Sequence, residues 1–171
     1  MKPVRTLLAA AIAAFAFNAH AVSISTDGSW NTFDFDAVGS SLYDFDSLDT
    51  SFTFTLNQAS LLRVVDAGFS GDQFTIVANG SNLGTTSAPT VQEIDSIFDA
   101  ATAWNDARFS KGTWNLAAGS YTITGTATLS PFDSGIGYLS VTAVPEPESY
   151  AMLLAGLGLM GAIARRRNRN V

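Results

Sequence analysis

The sequence SFTFTL, residues 51–56, is the clearest indication of the fold. Hydrophobic and hydroxyl side chains alternate along it, and a period of two places Phe52, Phe54 and Leu56 on one face of a β-strand. The hydroxyl groups then lie on the opposite face, toward water. The pattern therefore predicts a strand that covers a hydrophobic core on one side only.

Similar stretches lie further along the chain. They are rich in threonine, valine, isoleucine and aromatic residues, as strands commonly are. They cover residues 61–65, 74–78, 121–128 and 138–143. Asn79-Gly80 is suited to a hairpin turn because both residues tolerate a positive φ. Many short strands at this spacing predict an all-β domain over residues 22–144, an antiparallel β-sandwich or jelly roll.

One stretch breaks the alternation. Its sequence is QEIDSIFDAATAWND, residues 92–106, and its hydrophobic side chains recur near helical spacing. A short helix that covers an open end of the sandwich fits this pattern, and so does a long loop anchored by aromatic side chains.

The N-terminus has the parts of a secretory signal peptide, predicted over residues 1–21. Lys2 and Arg5 precede an apolar run over residues 7–17, and Ala19 and Ala21 supply the small residues that signal peptidase requires. The run is shorter than the roughly 20 residues of a membrane-spanning helix. We therefore expect signal peptidase to cleave after Ala21.

The composition changes again after Val144. Pro145-Glu146-Pro147 is followed by an apolar run over about residues 150–164 and then by a basic cluster. That cluster consists of Arg165, Arg166, Arg167 and Arg169. A helix over the run is about 22 Å long, against a hydrocarbon core of about 30 Å, and snorkelling arginines with local bilayer thinning would close the gap. The pattern predicts a transmembrane helix with its arginines in the cytoplasm.

This C-terminal layout resembles the PEP-CTERM sorting signal of proteins exported by Gram-negative bacteria. The resemblance covers residues 145–171 and implies that an exosortase, a membrane protease, cleaves the chain near Pro145-Glu146-Pro147. The membrane would then be a transient anchor, and release would deliver the body to the cell surface or extracellular matrix, where exopolysaccharide is a further partner. The alternative is an ordinary anchor that keeps a periplasmic protein in the inner membrane.

The body is also similar to PEP-CTERM proteins named for an F-x-D-x-F motif, over residues 52–62, 66–79 and 121–144. The literal motif is absent, because FDFD at residues 33–36 and YDFD at residues 43–46 have a different spacing. That group has no assigned activity, so the similarity implies location and fold rather than chemistry.

Residue content and charge exclude several functions. The 171-residue chain has no cysteine, and its one histidine, His20, lies in the predicted signal peptide. Disulfide scaffolds and Ser-His-Asp or Cys-His catalysis are therefore excluded. Residues 22–144 carry three basic and thirteen acidic side chains, a net charge of −10, which argues against a nucleic-acid partner. We predict a non-enzymatic structural or adhesive component of an exopolysaccharide layer or biofilm.

Two pairs of aspartates suggest a different function. The members of each pair are two residues apart: Asp34/Asp36 and Asp44/Asp46. In a strand each pair would share one face, and paired carboxylates can serve as acid and base in a small glycosidase. The interpretation we prefer is that Phe33, Phe35 and Phe45 point inward while the aspartates face solvent.

Calcium is the one cofactor that the sequence suggests, although none is required. Asp66, Asp72 and Asp133 fall in predicted loops beside glycines, and hard oxygen ligands suit Ca²⁺. The chain lacks the D-x-D-x-D-G loop, however, and aspartates commonly cap turns without any metal.

Three tryptophans suggest a carbohydrate-binding module as a further alternative. Trp30, Trp104 and Trp114 would stack on sugar rings if their faces were exposed. Tryptophans of small sandwiches are more often largely buried, and the sequence does not separate these cases.

Overall fold

The computed structural model describes residues 21–145, 152–160 and 165. Within them the body consists of two β-sheets of five strands each, with one short helix. The elements are β1 (Val22–Ser23), β2 (Asp27–Phe35), β3 (Phe52–Leu56), β4 (Ser60–Ser70), β5 (Gln73–Ala78), β6 (Ser81–Thr85), β7 (Glu93–Ile97), α1 (Ala100–Asn105), β8 (Lys111–Leu116), β9 (Gly119–Leu129) and β10 (Gly135–Ala143).

The two sheets form a sandwich. The first has the strand order β1-β3-β9-β5-β6, and the second has β2-β10-β4, with β7 and β8 both pairing with β4. Every pair is antiparallel except β1 with β3. The prediction of an antiparallel β-sandwich is therefore confirmed for the body.

The stretch SFTFTL forms β3 as predicted. Its hydrophobic side chains are buried at alternate positions, and the threonines between them are partly or fully exposed. Phe33 and Phe35 of β2 pack edge-on against Phe74 of β5, with ring centroids 5.1 and 5.3 Å apart. The core therefore lies between the two sheets, filled by aromatic side chains from both.

Strand β4 is buried on both faces at its C-terminal half. Leu62 and Val64 belong to the core between the sheets, whereas Val65 and Ala67 pack on the outer side against Phe109 and α1. This second cluster brings tryptophan and tyrosine side chains onto the outer face of the second sheet. Because β4 is covered on both faces, the carboxyl group of Asp66 in this half of the strand is removed from water.

Residues 92–106 are neither one helix nor one loop. The first part is strand β7, which pairs with Gly68 and Ser70 of β4, and the second is α1. Asp99 separates them and caps the helix, because its Oδ1 accepts a hydrogen bond from the N–H of Thr102 at 2.8 Å. Main-chain hydrogen bonding to β4 makes the first part of this segment a strand, which the spacing of its side chains did not indicate.

The two terminal segments are largely outside the described residues. Of the predicted signal peptide only Ala21 is described, so that prediction stays a prediction. Residues 152–160 are helical and exposed, and the rest of the predicted membrane helix is not described. Among the described residues, no helix combines the length and hydrophobicity needed to cross a bilayer.

Candidate functional site

Asp66 and Asp72 come together where β4 turns into β5. Asp66 lies within β4 rather than in a loop, which corrects the sequence prediction, and Asp72 directly precedes β5. The turn folds back over Asp66, whose Oδ2 accepts hydrogen bonds from the N–H groups of Gly71 at 3.1 Å and Asp72 at 3.2 Å. The two residues are only 0% and 2% exposed.

Three oxygen atoms at this place have no hydrogen-bond partner. They are Oδ1 of Asp66, Oδ1 of Asp72 and Oγ of Ser130, and all three are buried. Buried polar atoms are nearly always satisfied in folded proteins, so three orphans together point to a missing proton, water or ion. Sequence reasoning missed Ser130, because a serine that follows a strand carries no distinguishing signal.

Two glycines let the connection between β9 and β10 approach the turn between β4 and β5, which folds over Asp66 and contains Asp72. At Gly71, whose φ is +139°, a Cβ atom would lie 2.7 Å from Cγ of Pro131. At Gly135, the first residue of β10, a Cβ atom would lie 2.7 Å from Oδ2 of Asp72. The loop that follows β9 and the start of β10 can therefore close on the turn between β4 and β5.

The electrostatics of the pair follow from burial. Burial raises the pKa of Asp66 well above its ordinary value, and the nearby charge of Asp72 raises it further. Burial also raises the pKa of Asp72, and the nearby side chains of Ser130 and Asp66 oppose part of that rise. A cavity of about 110 Å³ borders Asp72 and is walled by residues that include Gly68, Phe98 and Ile136. Two buried carboxylates require protons or a cation to offset their charge.

The third predicted calcium ligand is not part of this cluster. Asp133 lies exposed in the loop between β9 and β10, with a φ of +69°. Among the described residues there is no group of three or more aspartate, glutamate, histidine or cysteine side chains placed to hold a metal. Any ion at the pair would therefore take its remaining ligands from hydroxyl, main-chain or water oxygens.

The other aspartates form an acidic region around the end of β2. Main-chain hydrogen bonds join Asp34 to Tyr43, and the Tyr43 hydroxyl donates to Oδ1 of Asp36 at 2.9 Å. Burial raises the pKa of Asp34, and the charges of Asp44, Asp36 and Asp46 add to this. The structure thus brings both predicted aspartate pairs into one region.

The prediction of a strand through Asp44 and Asp46 is wrong. Oδ1 of Asp44 accepts hydrogen bonds from both the N–H and the hydroxyl of Ser47 at 2.9 Å, which makes a turn. Phe45 is consequently 70% exposed, whereas Phe33 and Phe35 point inward as predicted. Alternation therefore holds in β2 and fails in the turn that comes after it.

Two of the three tryptophans lie together on the outer face of the second sheet. The rings of Trp30 and Trp104 have centroids 5.6 Å apart, and Arg63 and Lys111 place their charges 5.5 and 5.8 Å from the Trp104 centroid. All three tryptophans are partly buried. Trp114 instead packs against the core between the sheets.

The folded body ends one residue after β10. The N–H of Val144 donates to the carbonyl of Ala59 at 2.9 Å, and Nε2 of Gln58 donates to the carbonyl of Val144 at 3.2 Å. Pro145 is exposed. Arg165 is exposed as well, while Glu146, Pro147 and the other arginines of the basic cluster lie outside the described residues.

Comparison with known families identifies the C-terminal tail. Residues 143–168 match the family described as the PEP-CTERM protein-sorting motif. The tail is a PEP-CTERM sorting motif. The PEP-CTERM motif implies export, sorting to the cell surface and processing by an exosortase, which is a membrane protein. It starts at the last residue of β10, so the sorting motif is joined directly to the sandwich.

Solved structures resemble the body only distantly. The pre-peptidase C-terminal domain of a Bacillus anthracis collagenase is 16% identical with a TM-score of 0.39, covering 71% of this chain and 94% of that one. A family 35 carbohydrate-binding module from Clostridium thermocellum is 18% identical with a TM-score of 0.36, covering 64% and 74%. A β-1,3-glucan-binding family 6 module from Bacillus halodurans is 13% identical with a TM-score of 0.34, covering 68% and 87%. Likeness at this level does not indicate a function, and no curated protein matches the chain.

Proposed function

We propose that the chain is an exported, non-enzymatic protein whose tail an exosortase removes, so that the β-sandwich is released to the cell surface or extracellular matrix. The observation that carries this proposal is the PEP-CTERM motif at residues 143–168. The predicted signal peptide, with Lys2, Arg5 and the small residues Ala19 and Ala21, supplies the matching export step.

The junction between body and tail suits a protease substrate. Hydrogen bonds hold the chain as far as Val144, and the next residue, Pro145, is exposed. A proline has no N–H to donate and fixes its own φ, so Pro145 and Pro147 oppose continuation of β10 into the tail. The proline-containing sequence after Val144 would let a protease bind this segment in extended form.

We infer that the released body has a structural or adhesive role in an exopolysaccharide layer or biofilm. The sequence after the predicted signal contains neither histidine nor cysteine, which removes the usual nucleophile and base combinations. The net charge of −10 over residues 22–144 favours solubility outside the cell and repels other anionic surfaces. An acidic polymer would therefore have to bind at one of the few basic side chains of the body.

The experiment is a comparison of two variants in the native host. In the first variant, alanines replace Pro145, Glu146 and Pro147; in the control, Pro89→Ala changes a loop proline of the body. We expect the first variant to stay in the membrane fraction at full length, and the control to be released like the unmodified chain. Equal release of both variants would refute the proposal and favour a different processing site.

A second candidate function is carbohydrate binding at Trp30 and Trp104. Arg63 and Lys111 beside Trp104 are two of only three basic side chains in residues 22–144, and the third, Arg108, lies close to Lys111 in the chain. Aromatic rings next to cations suit sugars that carry carboxylate groups. On an array that includes uronic-acid polymers, Trp30→Ala should lose binding while Trp114→Ala keeps it. If the unmodified protein binds no sugar on the array, carbohydrate binding is refuted as a function.

A further inference from the structure

We propose that Asp66, Asp72 and Ser130 bind one calcium ion, which joins the turn between β4 and β5 to the loop after β9. This site is separate from the sorting motif and would serve the released body. The proposal starts from three buried oxygen atoms without partners, one on each of these residues.

Hydrogen bonding alone does not explain the arrangement. Oδ2 of Asp66 is fully used by the N–H groups of Gly71 and Asp72, which fixes the carboxylate and leaves Oδ1 unpaired. The Ser130 hydroxyl and Asp66 both lie close enough to Asp72 to lower its pKa, yet Oγ of Ser130 and Oδ1 of Asp72 make no hydrogen bond of ordinary length and angle. Carboxylate and hydroxyl oxygens with unused lone pairs are suitable ligands for a hard cation such as Ca²⁺.

The basic side chains of the described body all lie elsewhere than at the aspartate pair. Arg63 and Lys111 contact the ring of Trp104, and Arg108 pairs with Asp106 at 2.8 Å. Within the described residues, neither Asp66 nor Asp72 has an ion pair with any of these three cations. Buried charges are ordinarily paired or coordinated to a metal. A divalent cation would balance the two carboxylates without any other charged group.

Calcium fits the available ligands better than other divalent ions. It accepts six to eight oxygen ligands in flexible geometry, whereas Mg²⁺ demands a near-ideal octahedron and zinc, copper and nickel favour nitrogen or sulfur ligands. Asp66, Asp72 and Ser130 supply the side-chain oxygens, and main-chain and water oxygens would complete the shell. The cavity of about 110 Å³ reaches Asp72 and Ser134, the polar residues of a mostly apolar lining, so waters would enter the shell from the Asp72 side.

The test is a thermal unfolding measurement on the full chain, purified in detergent at neutral pH. Extracellular calcium modules bind with dissociation constants of about 0.1–1 mM, so about 5 mM calcium would nearly fill the site. Relative to chelator, we expect calcium to raise the unfolding temperature by about 3–5 °C, and magnesium to raise it less. Titration calorimetry on the same protein should show one calcium per chain.

Variants separate this site from general binding of calcium to an acidic protein. Asp72→Asn should abolish the shift in unfolding temperature, and Ser130→Ala should reduce it. Asp133→Asn, which removes an exposed charge from the loop after β9, should leave the shift unchanged. Asp72→Asn is preferred to Asp66→Asn because Asp66 also holds the turn together.

Two results would overturn the proposal. One is an unmodified chain that shows neither a shift in unfolding temperature nor calorimetric binding with calcium, in which case the two carboxylates share protons instead. The other is a shift that Asp72→Asn preserves or that Asp133→Asn removes, since either would place the ion elsewhere. If Asp72→Asn does not fold, calorimetry on Ser130→Ala and Asp133→Asn makes the same distinction: calcium binding should weaken in the first variant and stay unchanged in the second.

Discussion

At the scale of single residues, two phenylalanines that look alike in the sequence have opposite surroundings. Phe33 is 0% exposed and packs edge-on against Phe74, whereas Phe45 is 70% exposed. Replacing a buried phenylalanine by alanine typically lowers the free energy of unfolding by about 3–5 kcal/mol. A substitution at an exposed position usually changes it by no more than about 0.5 kcal/mol. We therefore expect Phe33→Ala to lower the free energy of unfolding by several kcal/mol, and Phe45→Ala to leave it nearly unchanged. Urea denaturation of both variants checks this, and equal losses would contradict the assignment of the core.

The buried aspartate pair predicts how stability depends on pH when no metal is present. The pKa of each carboxyl is raised in the folded state, so the pair binds more protons in the folded protein than in the unfolded chain. The stabilising contribution of the pair is therefore complete below the unfolded pKa of about 4 and is lost as the pH rises toward and above neutrality.

This dependence can be measured by urea denaturation in chelator between about pH 4 and pH 8. The free energy of unfolding of the unmodified chain should fall by more than about 2 kcal/mol over this range. Asp66→Asn should flatten the profile, because the amide does not titrate, while Asp133→Asn should keep the slope. A profile for Asp66→Asn as steep as that of the unmodified chain would show that other acids cause the dependence.

Residue-level prediction succeeded where alternation continues and failed where a side chain makes a turn. The stretch SFTFTL was sufficient to assign the inward face of β3. At Asp44, hydrogen bonds to Ser47 made a turn that directed Phe45 toward solvent. Such a capping interaction depends on local geometry that hydrophobic periodicity does not contain.

At the scale of elements, the close contact of β10 with its neighbours predicts an intolerant glycine. A Cβ atom on Gly137 would overlap the ring of Phe33 and lie 2.8 Å from the carbonyl oxygen of Val65. Overpacking of this kind typically costs about 1–3 kcal/mol, so Gly137→Ala should lower the midpoint of urea denaturation. Gly156→Ala is the matched control, since nothing lies within 4 Å of its added Cβ. Similar midpoints for both variants would mean that β10 packs less closely than described.

The positions of most strands were predictable from the alternation of side chains, except where pairing with a neighbouring strand decided the secondary structure. Residues 61–65, 74–78, 121–128 and 138–143 all fall within observed strands. Residues 92–106 did not follow their side-chain spacing, because the edge of β4 offered main-chain partners to β7. The same extension of β4 placed Asp66 inside a strand, which the neighbouring glycines had suggested to be a loop.

At the scale of the whole molecule, the sorting motif can be recognised from the sequence, whereas the proposed site in the body cannot. The sorting motif is contiguous, so its proline-flanked glutamate, apolar run and arginines are recognisable without a fold. The proposed calcium site joins residues 66, 72 and 130, and only the packing of β4, β5, β9 and β10 brings them together. Asp133, which lies in the same loop as Ser130 between β9 and β10, is exposed and does not belong to the proposed site.

The proposed function requires that the tail is cut from the body after export, and the intact mass of the protein recovered from its native host tests this requirement. In cells with a working exosortase, we predict a released chain that begins at Val22 and lacks Arg165 through Val171. In cells without the exosortase, the membrane fraction should hold a chain that still carries Arg165 through Val171. Released protein from the parent strain that retains its arginine cluster would show that the tail is not removed.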